Sequence, residues 1–163
     1  MAPEPDLLAG FPTEAPARPT AKLRFADVAV TATAKDFAGF YRGKQYHQPD
    51  LDAVLDRALA AGVEKVMLTG MSLGDVETNL AVARSRPAGT CFVTIGIHPY
   101  HAAEPDAEEG GGEDEHFGRL AQAVRDALEP ATEGSSQQPL LAAFGELGLD
   151  YDRLHHASKE AQV

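Results

Sequence analysis

The sequence predicts an α/β fold built on a parallel sheet. Short apolar runs of strand length alternate with amphipathic helical segments, the pattern of successive βαβ units. Four such runs are visible, and right-handed crossovers place the loop after each of them on one rim of the sheet, so that Thr31, Gly70, His98 and Glu146 share that rim. The chain has 163 residues, 44% of them hydrophobic, enough for one domain with a real core.

Each element follows from local pattern. Residues 25–30 (Phe-Ala-Asp-Val-Ala-Val) form an apolar run with one acid, the expected first strand. Residues 31–47 read as an irregular connection. Asp50 is placed as the N-cap of a helix whose Leu51, Val54, Leu55, Ala58 and Leu59 recur on one face, with Gly62 as its C-terminal glycine. Residues 63–69 are the second strand. Ser72, with Asp75 three residues on, opens a second helix carrying Leu73, Val76, Leu80 and Ala83 as its stripe. Residues 90–97 are the third strand, rich in β-branched and aromatic side chains. A third helix is expected over 116–128 with Phe117, Leu120, Val124 and Leu128 inward, then a linker over 129–138. Residues 140–147 are the fourth strand, read as fully buried, and 158–163 look like the start of another helix.

Composition narrows the classes of function. Cys91 is the sole cysteine and lies in an apolar run, so no disulfide framework exists and a reducing compartment, cytoplasm or nucleus, is expected. No window reaches the roughly 20 apolar residues of a membrane span. Residues 1–22 are rich in proline and alanine, lack the apolar core of a signal peptide and read as a disordered leader; their acids Glu4, Asp6 and Glu14 speak against an organelle transit peptide without excluding it. The partial domain is then 23–163, with an acidic low-complexity insertion at 102–115. A net charge of -11 argues against a passive nucleic-acid binder held by a basic patch. Seven acids fall between Glu104 and Glu115, and without them the balance is -4.

The chemistry concentrates after the fourth strand, in Gly145-Glu146-Leu147-Gly148-Leu149-Asp150-Tyr151-Asp152-Arg153. A carboxylate at the mouth of a buried strand is costly unless a cation or proton compensates it. That suits a metal ligand or a general acid or base, and equally an acid that caps a helix or pairs with Arg153; pattern alone leaves both roles open for Glu146.

This run resembles the Gly-Glu-x-Gly-Leu-Asp-(Tyr/Phe) signature of the TatD family of metal-dependent deoxyribonucleases. Two further segments are similar. Gly96-Ile97-His98-Pro99 resembles the family's Gly-x-His-Pro, and Phe40-Tyr41-Arg42-Gly43-Lys44-Gln45-Tyr46-His47 resembles the Tyr-Arg-Gly-x-x-x-His of its eukaryotic branch. The resemblance implies the N-terminal half of a TIM-type (β/α)8 barrel, which in full typically needs about 250 residues. It implies hydrolysis of DNA phosphodiesters, by exonuclease action, with a divalent ion (Mg²⁺, Mn²⁺ or Zn²⁺) held by Glu146 and His98 facing the substrate phosphate. Asp150 and Asp152 are expected to orient the loop through hydrogen bonds to backbone amides, and Asp150 to support Glu146. Arg42 and Lys44 read as solvated, Ser72 as a cap, His47 as a loop anchor, and His101, His155 and His156 as surface residues.

Two departures bear on activity. Thr31 and Thr33 stand where many members carry His-x-His, and the family's later ligands, two histidines and an aspartate, are expected past Val163. The chain itself is therefore expected to have little or no activity, and its open sheet to be covered by a missing barrel half or a partner chain. The alternatives are a non-catalytic relative serving as a binding module, and another amidohydrolase-like enzyme acting on a small amide or lactone.

Overall fold

A computed structural model describes residues 21, 23–106, 112–129 and 139–163. The expected leader thus lies almost wholly outside the described residues, as do 107–111 of the acidic insertion and 130–138 of the linker.

Four strands form one parallel sheet: β1 (Phe25–Val30), β4 (Val63–Leu68), β5 (Cys91–Ile95) and β6 (Leu141–Phe144), side by side in chain order. Registers run Phe25 to Val63 and Val30 to Leu68, Val66 to Cys91, and Val93 to Leu141 with Ile95 to Phe144. Between β1 and β4 comes a two-stranded antiparallel hairpin, β2 (Phe40–Tyr41) with β3 (Lys44–Gln45). Three helices, α1 (Leu51–Ala61), α2 (Leu73–Ser85) and α3 (Glu113–Leu128), connect and back the strands.

The core lies between sheet and helices. Leu68, Val93 and Ile95 come from the two central strands, Val76, Leu80 and Ala83 from α2, Leu120, Ala123 and Ala127 from α3, and Leu55 from α1. Leu68, Val76, Val93 and Ile95 are fully buried, each contributing about 1.5–3 kcal/mol of transfer free energy. Gly62 ends α1 at φ 106°, and the Ser72 hydroxyl accepts from the Asp75 N–H at 3.1 Å, both as expected.

Several expectations need correction. The fourth strand is not a buried strand over 140–147 but a four-residue edge strand, and Ala142, Ala143 and Phe144 are exposed. Among the described residues only β5 pairs with it, so β6 is an edge of the sheet. β1, the other edge, leaves Phe25 and Val28 51% and 63% exposed. Helix α3 starts at Glu113 rather than residue 116, with three acids in its first turn, where the helix dipole favours them. It buries His116, Leu120, Ala123 and Ala127, while Phe117 and Leu128 face out. Asp50 occupies the N-cap of α1 without capping it through its side chain; its carboxylate lies 3.8 Å from both His47 and Arg57. Residues 158–163 form turns, not a helix. Among the described residues no helix is long and apolar enough to cross a membrane.

Candidate active site

The four strand ends are stitched into one rim by backbone contacts. Thr69 N–H donates to the Val30 carbonyl at 2.9 Å, His98 N–H to Met71 at 2.9 Å, and Gly145 N–H to Ile95 at 2.8 Å. Gly70 N–H donates to the buried Thr94 hydroxyl at 3.1 Å. Gly96 is a point of close backbone approach on this rim. A Cβ on it would stand 2.5 Å from the Gly145 carbonyl carbon and 2.8 Å from the carbonyl oxygens of Gly145 and Glu146. A hydrogen at position 96 is thus what lets the backbone bearing Glu146 lie against the end of β5.

Two of the expected site residues meet there. His98 Nε2 lies 4.0 Å from Glu146 Oε1, with the His98 side chain 18% and the Glu146 side chain 56% exposed. Pro99 starts a short 3₁₀ turn over Pro99–His101, and the Tyr100 N–H of that turn donates to His98 Nδ1 at 3.2 Å. A backbone N–H can only donate, so Nδ1 accepts and the neutral ring carries its hydrogen on Nε2. His98 therefore presents a donor towards Glu146 and the open rim.

Asp150 does not touch Glu146. Its carboxylate accepts from the N–H groups of Asp152 at 3.0 Å and Arg153 at 3.1 Å. Burial alone would raise this carboxyl, but those two N–H groups, with the Tyr100 hydroxyl and the Arg153 guanidinium, together hold it below the usual range. Arg153 donates to the Tyr100 hydroxyl and lies 3.6 Å from Asp150. Tyr100 in turn meets the His98 ring edge-on at 4.4 Å between centroids. Asp150 is thus linked to the His98 side of the rim, through Arg153 and Tyr100. The Glu146–Arg153 pair that would make Glu146 a structural acid is not formed.

Other residues separate from the site or join it unexpectedly. His156 is not merely solvated: it stacks on Tyr100 at 4.0 Å and 11°. Burial, then the charges of His155 and Arg153, push its imidazole below the ordinary histidine value. Gln162 folds the tail back, accepting from the Asp150 N–H at 2.7 Å and donating to its carbonyl at 3.1 Å. His101 is half-buried and pairs with Glu104 at 2.6 Å rather than lying free on the surface. His47 bonds the Gln48 carbonyl at 2.8 Å in the loop before α1. Sequence reasoning missed Tyr100, Arg153 and His156 as partners; the adjacency of Tyr100 to His98-Pro99 was the one available signal.

The Glu146 carboxylate has the chemistry of a hard-cation ligand: it is exposed and, among the described residues, pairs with no lysine or arginine. It is one donor where about three protein ligands are normal. Among the described residues no group of three His, Cys, Asp or Glu side chains converges, so they do not complete an ion site.

The TatD related DNase family model matches residues 27–163. The chain belongs to the TatD family. The Deoxyribonuclease Tat-D of Schizosaccharomyces pombe is 37% identical over 141 residues, 86% of this chain and 41% of that protein. The Saccharomyces cerevisiae protein of the same name is 29% identical over 166 residues, and a 3'-5' ssDNA/RNA exonuclease TatD of Erwinia amylovora 31% identical over 137 residues. Among solved structures, an uncharacterized amidohydrolase from S. cerevisiae superposes with a TM-score of 0.69 at 28% identity, covering 86% of this chain and 41% of that one. A TatD family hydrolase from Entamoeba histolytica gives 0.67 at 27% identity, covering 85% and 42%. The chain thus spans about two fifths of the relatives it matches, with the strand–helix alternation of a half barrel.

Proposed function

We propose that this chain supplies the first half of the site of a metal-dependent deoxyribonuclease, hydrolysing DNA phosphodiester bonds from a strand end. The observation that carries this reading is the His98–Glu146 pair, 4.0 Å apart at the carboxyl-terminal rim of a TatD-family sheet. Glu146 contributes one ligand to a divalent ion, Mg²⁺, Mn²⁺ or Zn²⁺. Such an ion, when bound, lowers the pKa of a water and polarises the phosphoryl oxygen. His98 donates its Nε2–H to a phosphate oxygen, held in that tautomer by the Tyr100 N–H. Thr31, half-buried after β1, has a carbonyl that accepts from Ala34 N–H at 3.0 Å, and Thr33 is likewise half-buried; neither hydroxyl adds a strong ligand.

The same reading gives the isolated 163 residues little or no activity, because the described donors number too few. The exposed edges β1 and β6 are then covered by further strands, from a continuing barrel or a partner chain. The buried free thiol of Cys91 fits a reducing compartment, cytoplasm or nucleus.

The test is a chimaera in which residues 27–163 replace the matching segment of the S. pombe relative. We expect chelator-sensitive release of nucleotides from end-labelled single-stranded DNA, cut at least about a hundredfold by Glu146→Gln. The purified chain alone should release nothing above the chelator background. Cleavage by the chimaera that ignores Glu146→Gln, or brisk metal-dependent cleavage by the lone chain, overturns the reading.

A further inference from the structure

We infer that the β2–β3 hairpin is a platform for single-stranded nucleic acid, with aromatic rings for bases and cations for phosphates. The inference rests on the nuclease reading above but draws on different residues. The loop after β1 contains the hairpin, so it rises from the same rim as His98 and Glu146.

The local composition runs against the chain. Between Lys35 and His47 stand three cations, Lys35, Arg42 and Lys44, against one acid, Asp36, in a protein of net charge -11. None of the three cations forms an ion pair with a described residue. Phe40, Tyr41 and Tyr46 are 41%, 54% and 64% exposed, an unusual outlay of large rings on so short a segment. Ring and cation alternate in space as well as in sequence. Arg42 sits over Tyr41 at 5.2 Å and Lys44 over Tyr46 at 5.3 Å.

The ribbon is built to hold this display. Tyr41 pairs across from Lys44, which puts both side chains on one face. Arg42 and Gly43 form the two-residue turn, both at positive φ (49° and 77°), the backbone that matches strand twist. At the base, Tyr46 N–H donates to Gly39 at 2.8 Å and Phe40 N–H to Lys35 at 2.9 Å. A Cβ on Gly39, whose φ is 86°, would fall 1.9 Å from the His47 carbonyl oxygen, so the two strands of the base touch through bare backbone. Rings held apart from the core by a pinned ribbon lose little freedom on stacking with bases, and every base offers a π-face. Arg and Lys beside them neutralise the backbone.

The test is fluorescence anisotropy of the 163-residue chain with a labelled oligo-dT at low salt. Tyr41→Leu/Tyr46→Leu keeps apolar area but removes the stacking rings, and should weaken binding about tenfold or more; Tyr41→Phe/Tyr46→Phe should restore it. Arg42→Ala/Lys44→Ala should flatten the plot of log affinity against log salt by about 0.7 per lost phosphate contact. Circular dichroism should be unchanged, because all four side chains lie outside the core. Absence of oligo-dT binding by the wild-type chain, or wild-type affinity in both Tyr41→Leu/Tyr46→Leu and Arg42→Ala/Lys44→Ala, overturns the inference. Failure of the nuclease reading looks different: hairpin-dependent binding persists while the chimaera does not cleave.

Discussion

Replacing Gly96 by alanine tests the link between packing and chemistry most directly. Its backbone φ is not in the left-handed region, so alanine brings no conformational strain, only a methyl group. That methyl meets the Gly145 carbonyl carbon at 2.5 Å, where ordinary contact starts at 3.4 Å, so about 0.9 Å must be found. The obstacle is backbone from residues 145 and 146, held to β5 by the Gly145 N–H to Ile95 bond, and cannot rotate aside. Overpacking of this kind costs about 1–3 kcal/mol, visible as a drop of several degrees in the melting midpoint of the chain. The same displacement carries Glu146 relative to His98, and misplacement of about 1 Å can cost about a hundredfold in rate. The assays are thermal melting of the 163-residue chain and single-turnover cleavage by the chimaera. A Gly96→Ala chain that melts like wild type, in a chimaera that cleaves like wild type, refutes the proposition that bare backbone contact positions Glu146.

Gly118→Ala should do the reverse, since Gly118 lies inside α3 with nothing within 4 Å of its built Cβ; stabilisation of about 0.5–1 kcal/mol is expected in chemical denaturation. The Asp150 carboxyl titrates below its unfolded value, so its contribution is present above about pH 3.9 and is lost as pH falls through the folded value. Asp150→Asn should remove that acid limb and speed hydrogen exchange at the Asp152 and Arg153 amides. The His156 imidazole is also depressed, so the unfolded chain takes up its proton first and the Tyr100 stack should hold above about pH 6.5 and loosen below it. Nuclear magnetic resonance titration of the His156 ring checks this, and His156→Phe should keep the stack while abolishing its pH dependence.

How much of this was legible depended on the range over which each signal acts. The strands and α2 were readable because period and cap are local: Ser72 with Asp75, and Leu73, Val76, Leu80 and Ala83, all fall as their spacing implies. The face of α3 was misread because bulk was taken as the mark of burial. Close approach to α2 and the sheet selects Ala123 and Ala127, and leaves Phe117 47% exposed. The hairpin escaped because two-residue strands carry no period; only Arg42-Gly43, a turn with two positive φ values, announced it. The fourth strand reads as buried on hydrophobicity alone, yet burial needs neighbours on both sides, and among the described residues β6 has one. At the site, local pattern left the role of Glu146 open; the family resemblance singled out His98 and Glu146, and the fold brings them within 4.0 Å of each other. The Tyr100–His156 stack and the Arg153–Tyr100 bond join residues more than fifty positions apart, beyond any local pattern.

The tautomer of His98 also divides the labour within the pair. A histidine that is to ligate a metal through Nε2 needs that nitrogen bare and usually gives its Nδ1–H to an acceptor. Here the opposite holds, because Pro99 sets the turn that aims the Tyr100 N–H at Nδ1. The hydrogen is left on Nε2, facing the rim, where it suits an anionic oxygen and repels a cation. Glu146, whose carboxylate is acceptor-only, suits the reverse. On the proposed reading the phosphodiester goes to His98 and the divalent ion to Glu146, and the backbone amide that favours this division, Tyr100 N–H, lies two residues from the histidine it contacts.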